Sequence, residues 1–183
     1  LVYELVAKSN KPLVLDADAI NAFENCHEKL KDHKAEIVIT PHLGEYKRLF
    51  PEDLSTDLNP MNIIDSLKKR AKELDVTILL KGAPTLIADP CGEVFIVPYG
   101  NSGLATAGTG DVLTGLIAGF MAQSVQRQNK YLSNSKLITQ NAILATYIHG
   151  KTAELIAPEL TEYSMMASNI LNNLHRAIKF SLN

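Results

Sequence analysis

Short apolar runs alternate with stretches of helical spacing along this chain. Leu13-Val-Leu15, Glu36-Ile-Val-Ile-Thr40 and Val76-Thr-Ile-Leu-Leu80 read as buried strands, each followed at once by polar residues. Between them the pattern predicts helices. Leu1, Val2, Leu5 and Val6 recur as an amphipathic helix, Phe23 to Lys34 reads as helical and charged, and Glu45 to Phe50 as a short helix. Asn59-Pro60 supplies an N-cap and a proline at the first helical position, followed by the stripe Met61, Ile64, Leu67, Ala71 and Leu74. Lys68, Lys69, Arg70 and Lys72 fit the solvated face of that helix. Leu86-Ile-Ala88, the turn Asp89-Pro-Cys-Gly92 and Glu93-Val-Phe-Ile-Val97 predict a β-hairpin, which either covers a ligand or simply ends the sheet.

The second half is helical in pattern. A helix from Asp111 to about Gln123 carries Val112, Leu113, Leu116, Ile117 and Phe120, and Gly115 and Gly119 permit close packing against a neighbour. Ser124 to Lys136 is polar and reads as a surface connection. Leu137 to Ile156 predicts a long helix with Ile138, Asn141, Ala142, Ala145, Ile148 and His149 on one face, ended by Pro158. Ser164 is placed to cap a last helix through Met165, Ile170, Leu171, Leu174 and Ile178.

Alternating strands and helices imply right-handed crossovers and a mainly parallel sheet. Asp16 and Asp18, His42 and Glu45, and Lys81 then share the carboxyl edge of the strands, where open α/β sheets bind ligands. Each has a plainer alternative. Asp16 and Asp18 are also suited to capping the next helix, His42 to a structural role, and Glu45 to capping as well as to holding a metal-bound water. At Gly103-Leu-Ala-Thr-Ala-Gly-Thr-Gly-Asp-Val-Leu-Thr-Gly115 a glycine-rich loop feeds a helix N-terminus. Unpaired N–H groups and the helix dipole attract phosphate there, and Asp111 adds one carboxylate in the first turn. That combination suggests phosphoryl chemistry, although such loops also occur as punctuation.

Composition narrows the partners. With 183 residues, 46% hydrophobic and 21% charged, the chain is an ordinary globular domain with a sizeable core and no linker or repeat. A formal charge of −2 without a basic run argues against a nucleic-acid surface and against electrostatic attachment to membranes, which leaves small molecules or further copies of the chain. No apolar run is long enough to span a bilayer, and Leu1 to Asn10 lack the pattern of a signal peptide, so a cytoplasmic location is expected. Cys26 and Cys91 match no metal spacing and are expected to be reduced thiols without a role. The chain opens in mid-pattern, as a fragment would.

Four segments carry a family likeness. Asp16-Ala-Asp-Ala-Ile-Asn21, Thr40-Pro-His-Leu-Gly-Glu45, Leu80-Lys-Gly-Ala-Pro-Thr85 and Asn101-Ser-Gly-Leu-Ala-Thr-Ala-Gly-Thr-Gly-Asp-Val-Leu113 together resemble the ADP/ATP-dependent NAD(P)H-hydrate dehydratases of the ribokinase-like superfamily. The resemblance implies a three-layer α/β/α fold with a mainly parallel sheet and an edge hairpin, incomplete at its N-terminus. Residues 1–183 would form a single domain, the C-terminal two thirds of the family domain. It implies repair of hydrated NADH or NADPH, with ADP or ATP as co-substrate and Mg²⁺ bridging the phosphates. Lys81, Gly82, Ala83, Pro84, Thr85 and Gly110 would bind the nucleotide, His42 and Asp111 the hydrate, and Asp111 would act as general base. No metal ligands are assigned, and a homo-oligomer is expected from the family. A vitamin-precursor kinase of the same superfamily, or a non-catalytic nucleotide-binding fragment, are the alternatives.

Overall fold

Five strands form one sheet in the order β1 (Leu13–Leu15), β2 (Ile37–Ile39), β3 (Thr77–Leu80), β4 (Thr85–Ala88) and β5 (Val94–Val97). The computed structural model describes residues 1–53, 59–127 and 134–182. β1, β2 and β3 are parallel, with Leu13 opposite Ile37 and Val38 opposite Thr77, while β4 and β5 form the expected antiparallel hairpin on the β3 side. Every residue of β2 and β3 is buried, as parallel strands covered on both faces require.

Alternation along each strand sorts its side chains into two cores. On one face Leu15, Ile37, Ile39, Ile78 and Leu80 pack with Val6, Phe23, Tyr46, Phe50, Leu67 and Leu74. These come from α1 (Val2–Lys8), α3 (Leu43–Leu49), α4 (Pro60–Leu74) and neighbouring turns; α2 (Asp18–Asn21) adds Ile20. On the other face Val38, Leu79, Ile87 and Val97 meet Leu113, Ile117 and Met121 of α5 (Thr109–Arg127) and Ile138, Ala142 and Ala145 of α6 (Asn134–Leu160). A third cluster, Ala153, Ile156, Met165 and Ile170, seats α7 (Ala167–Ser181) against α6. Helices thus cover both faces of the sheet, in the three layers expected.

Local differences have local causes. The helix expected over Phe23–Lys34 is a 3-10 turn, His27–Asp32, because Asn25 takes a positive φ of 62° and breaks the chain after α2. The short third helix starts at Leu43 rather than Glu45, since His42 caps it. Pro158 does not end α6, which continues to Leu160. A proline forfeits only one helical bond, and Ala157 and Leu160 on either side pack into the α7 cluster. Ser164 hydrogen-bonds back to the Leu160 carbonyl instead of capping α7, whose N-cap is Met166. The polar connection expected over Ser124–Lys136 is helical at both ends, and residues 128–133 lie outside those described. Gly115 and Gly119 support no close packing, because a Cβ at either would meet nothing within 4 Å.

Arg70 is the clearest departure from its expected solvated face. It is 4% exposed, and its Nε and Nη2 each donate to Asp53 at 2.7 Å. Nη1 reaches Glu73 at 2.9 Å, Nη2 also pairs with Glu52, and the guanidinium lies 4.9 Å above the Phe50 ring. Ser66 donates to Asp53 at 2.7 Å and contacts the Tyr46 hydroxyl at 2.6 Å. The network fastens the segment after α3 onto α4. We expect Arg70→Ala to lower the unfolding free energy by about 3 kcal/mol in urea titrations, because the buried Asp53 loses its guanidinium and keeps only Ser66 and the exposed Lys69. Arg70→Met combined with Asp53→Leu should recover most of that loss. Burial raises the Asp53 carboxyl, but Arg70, Ser66 and Lys69 outweigh it and hold the group below the ordinary carboxylate range. Its contribution to stability is therefore complete above its unfolded value of about 4 and is lost as pH falls through the lowered folded value, which acid titrations of the parent and Arg70→Met will compare.

Candidate active site

Three strand ends and one helix N-terminus meet at Lys81. Its backbone N–H donates to the Pro41 carbonyl at 2.8 Å, and a single bridge to His42 carries the parallel β2–β3 pairing one step beyond the strands. The side chain turns toward β1, where Nζ lies 2.7 Å from Asp16 Oδ1; Glu45 Oε2 is 3.8 Å away. The second oxygen of Asp16 accepts from Thr114 Oγ1 at 3.0 Å. Burial alone would raise the Asp16 carboxyl, but Lys81, Thr40 and Thr114 outweigh it and lower its pKa, which keeps it anionic at neutral pH. Asp16 therefore does not cap α2. Ala17, the N-cap, provides no side-chain bond, and its φ of 48° is a strained value for a residue other than glycine. The Asp18 carboxylate accepts from Asn21 Nδ2 at 3.4 Å.

His42 and Glu45 are joined in a reciprocal cap. The His42 Nδ1 accepts from the N–H groups of Gly44 at 2.9 Å and Glu45 at 3.2 Å, while Glu45 Oε2 accepts from the His42 N–H at 2.8 Å. A Cβ on Gly44 would stand 2.8 Å from the ring, so this fold of the imidazole onto the helix end needs glycine. With Nδ1 accepting two bonds, the proton sits on Nε2, 3.6 Å from Glu45 Oε1. The His42 side chain is 54% exposed, so Nε2–H is available to a ligand, whereas Glu45 is 7% exposed and committed to the cap and to Lys81.

The glycine loop is clamped from several sides. Gly100 N–H donates to Glu154 at 3.1 Å, Asn101 donates to the Ala153 carbonyl at 3.0 Å, and Thr106 donates to the Met165 carbonyl at 3.0 Å. Gly150 lets α6 touch the loop, since a Cβ there would fall 2.4 Å from the Tyr99 carbonyl oxygen. Gly108 turns the chain with a φ of 87° into α5. In that first turn the N–H of Thr109 bonds to Thr106 and that of Val112 to Gly108; among the described residues those of Gly110 and Asp111 have no acceptor. A Cβ on Gly110 would lie 3.7 Å from Asp16 Oδ2 and 3.8 Å from Lys81 Nζ, so the bare turn stands directly over the ion pair. Asp111 is exposed in the same turn.

The structure thus brings Lys81, Gly110, Asp16, Thr114, His42 and Glu45 to one edge. Gly82, Ala83 and Pro84 form the exposed turn that follows Lys81, and Thr85 Oγ1 closes it by donating to the Gly82 carbonyl at 3.1 Å. Thr114 escaped sequence reasoning, although it lies one helical turn after Gly110 and so on the same side of α5. Among the described residues no three His, Cys, Asp or Glu side chains are grouped to hold a metal, and Asp16 and Glu45 are both engaged with Lys81. Cys26 and Cys91 are free thiols away from these groups. Among the described residues no helix is long and apolar enough to cross a membrane.

Comparison with known proteins supplies the family. A family model described as NAD(P)H-hydrate dehydratase matches residues 2–176. The bifunctional NAD(P)H-hydrate repair enzyme Nnr of Moorella thermoacetica is 37% identical over 174 residues, covering 95% of this chain and 30% of that enzyme. The chain thus spans about a third of the length of the curated relatives it matches. The crystal structure of ADP/ATP-dependent NAD(P)H-hydrate dehydratase from Bacillus subtilis, co-crystallised with ATP/Mg²⁺ and soaked with CoA, superposes with a TM-score of 0.74 at 30% identity, over 95% of this chain and 58% of that one. A ribokinase-like superfamily protein from Enterococcus faecalis V583 gives 0.70 at 27% identity, over 98% and 57%. Matched by that family model over nearly its whole length and sharing a ribokinase-like fold with these structures, the chain belongs to the NAD(P)H-hydrate dehydratase family.

Proposed function

We propose that this chain carries the nucleotide-binding wall and the general base of an enzyme that dehydrates the hydrate of NADH or NADPH at the expense of ADP or ATP. On this reading residues 1–183 correspond to the C-terminal two thirds of one ribokinase-like dehydratase domain. The observation that carries it is the open turn Gly110–Asp111 above Lys81: two N–H groups without acceptors, a positioned ammonium and an exposed carboxylate converge where a terminal phosphoryl group would sit. Lys81 and the turn Gly82, Ala83, Pro84 and Thr85 bind the nucleotide, and Gly110 admits its phosphates. His42 Nε2–H donates to the hydrate.

In the first step the hydrate hydroxyl oxygen attacks the terminal phosphorus. A P–O bond to the hydrate forms, the bond to the nucleotide leaving group breaks, and Asp111 takes the hydroxyl proton. The N–H groups of Gly110 and Asp111 stabilise charge on the transferred group. The ring nitrogen lone pair then expels phosphate by breaking the C–O bond, and loss of the neighbouring C–H proton restores the reduced ring. Mg²⁺, which the family resemblance implies, would offset charge on the nucleotide phosphates, and no step depends on it here. The reading also includes a homo-oligomer, which rests on the family resemblance, and a cytoplasmic location, which rests on the sequence pattern.

Return of reduced-nicotinamide absorbance from hydrate plus ADP or ATP, measured with the complete gene product, tests the proposal; a stable phosphorylated product instead would identify a kinase. Asp111→Asn should lower kcat by about a hundredfold or more while nucleotide affinity stays within about twofold. Lys81→Met should instead weaken nucleotide binding by about tenfold or more, through loss of a charge-assisted contact. Unchanged turnover in Asp111→Asn would remove Asp111 from the role of base.

A further inference from the structure

The Asp16 carboxylate lies between two groups of donors. Oδ1 is 2.7 Å from Lys81 Nζ. Oδ2 lies beside Gly110, where a Cβ would be 3.7 Å from it, in the turn whose Gly110 and Asp111 N–H groups have no acceptor among the described residues. A helix N-terminus binds a carboxylate through the same N–H groups and dipole with which it binds a phosphate. The chain thus carries its own competitor for the proposed anion site, and with the Asp16 side chain only 12% exposed, water does little to screen it. What draws Oδ2 elsewhere is Thr114, whose Oγ1 donates to it at 3.0 Å. Thr114 follows Gly110 by four residues, so its hydroxyl and the open N–H groups border the same space from successive turns of α5.

We propose that Thr114 is a positioning residue that keeps Asp16 from occupying the phosphate-binding turn of its own chain. By donating to Oδ2 it holds the carboxylate on Lys81 and along the flank of α5, and the N–H groups of Gly110 and Asp111 stay open for an incoming anion. Without the hydroxyl, Oδ2 turns to the unpaired donors beside it, those of the turn. A phosphate then has to displace a carboxylate, and its apparent affinity falls. The inference rests on reading Gly110–Asp111 as a phosphate site and is independent of which hydroxyl receives the phosphoryl group. Thr114→Val keeps the shape of the side chain and removes the donor. Thr114→Ser keeps the donor and removes the methyl.

Calorimetry of inorganic pyrophosphate binding to the complete gene product tests this. Thr114→Val should bind about tenfold more weakly than the parent, and Thr114→Ser within about threefold of it. Thr114→Ala lacks the same hydroxyl and should match Thr114→Val, so the comparison survives if one of the two folds poorly. The decisive readout is a double-mutant cycle with Asp16→Asn. An amide brings no charge to the helix end, so in that background Thr114→Val should cost less than about twofold. A general loosening of α5 would cost the same in both backgrounds. Parent-like affinity without the hydroxyl, a loss in Thr114→Ser as large as in Thr114→Val, or an undiminished loss on the Asp16→Asn background would overturn the proposal and leave the phosphate reading standing. A parent that binds neither pyrophosphate nor ATP removes the phosphate reading and the proposal with it.

Discussion

The ion pair between Lys81 and Asp16 is the contact on which the site depends. Lys81 is the first residue beyond β3 and Asp16 the first beyond β1, with β2 between them, so their 2.7 Å contact crosses the carboxyl edge of the parallel strands. Thr114 ties the same carboxylate to α5. Two carboxylates, Asp16 and Glu45, flank the one ammonium, so the lysine charge is already matched before a ligand arrives. On the proposed reading, the attraction for a phosphate falls mainly to the dipole and open N–H groups of α5, and Lys81 contributes a fixed direction as much as a charge. The nearly buried setting of Asp16 keeps that geometry from being averaged away by solvent.

Around this contact the surroundings divide the work. The cap at the start of α3 fixes the His42 ring by its Nδ1 and leaves Nε2–H as the side presented to a ligand. Helix α6 holds the loop ahead of α5 through backbone contacts that tolerate no side chain at Gly150. Strain at Ala17 sits one residue from Asp16, where the backbone must turn sharply if the carboxylate is to reach Lys81. Rigid elements therefore supply the positions, and the exposed groups, Asp111, His42 and the Gly82–Pro84 turn, are the ones free to meet a substrate.

Much of this was legible in the residues because it follows from short-range rules. The strands Leu13–Leu15, Ile37–Ile39 and Thr77–Leu80 betray themselves as apolar runs, and alternation with helices sets their polar ends on one edge. The hairpin and the Asn59-Pro60 helix start were likewise local signals. What stayed hidden depends on pairing across the fold. Arg70 looks like any basic residue on a charged helix face until Asp53 and Glu52 close over it. Asp16 is as good a cap as a ligand-edge carboxylate until Lys81 and Thr114 reach it. Proline within a last helical turn, as at Pro158, reads as a stop because the packing that overrides it comes from α7.

The contact that unites the site also sets when it can form. Asp16 and Lys81 are separated by 65 positions in the chain, and Asp16 and Thr114 by 98. Closing loops of that length sacrifices chain entropy before any compensating contact is made, which slows such pairings relative to local hairpin and helix formation. The β4–β5 hairpin and the helix pairs joined by short connections are the natural early elements, and the carboxylate of Asp16 meets its partners after them. On the proposed reading, anion binding through this edge is thus a report on the completed topology, silent in any partly folded chain that has only its local structure in place.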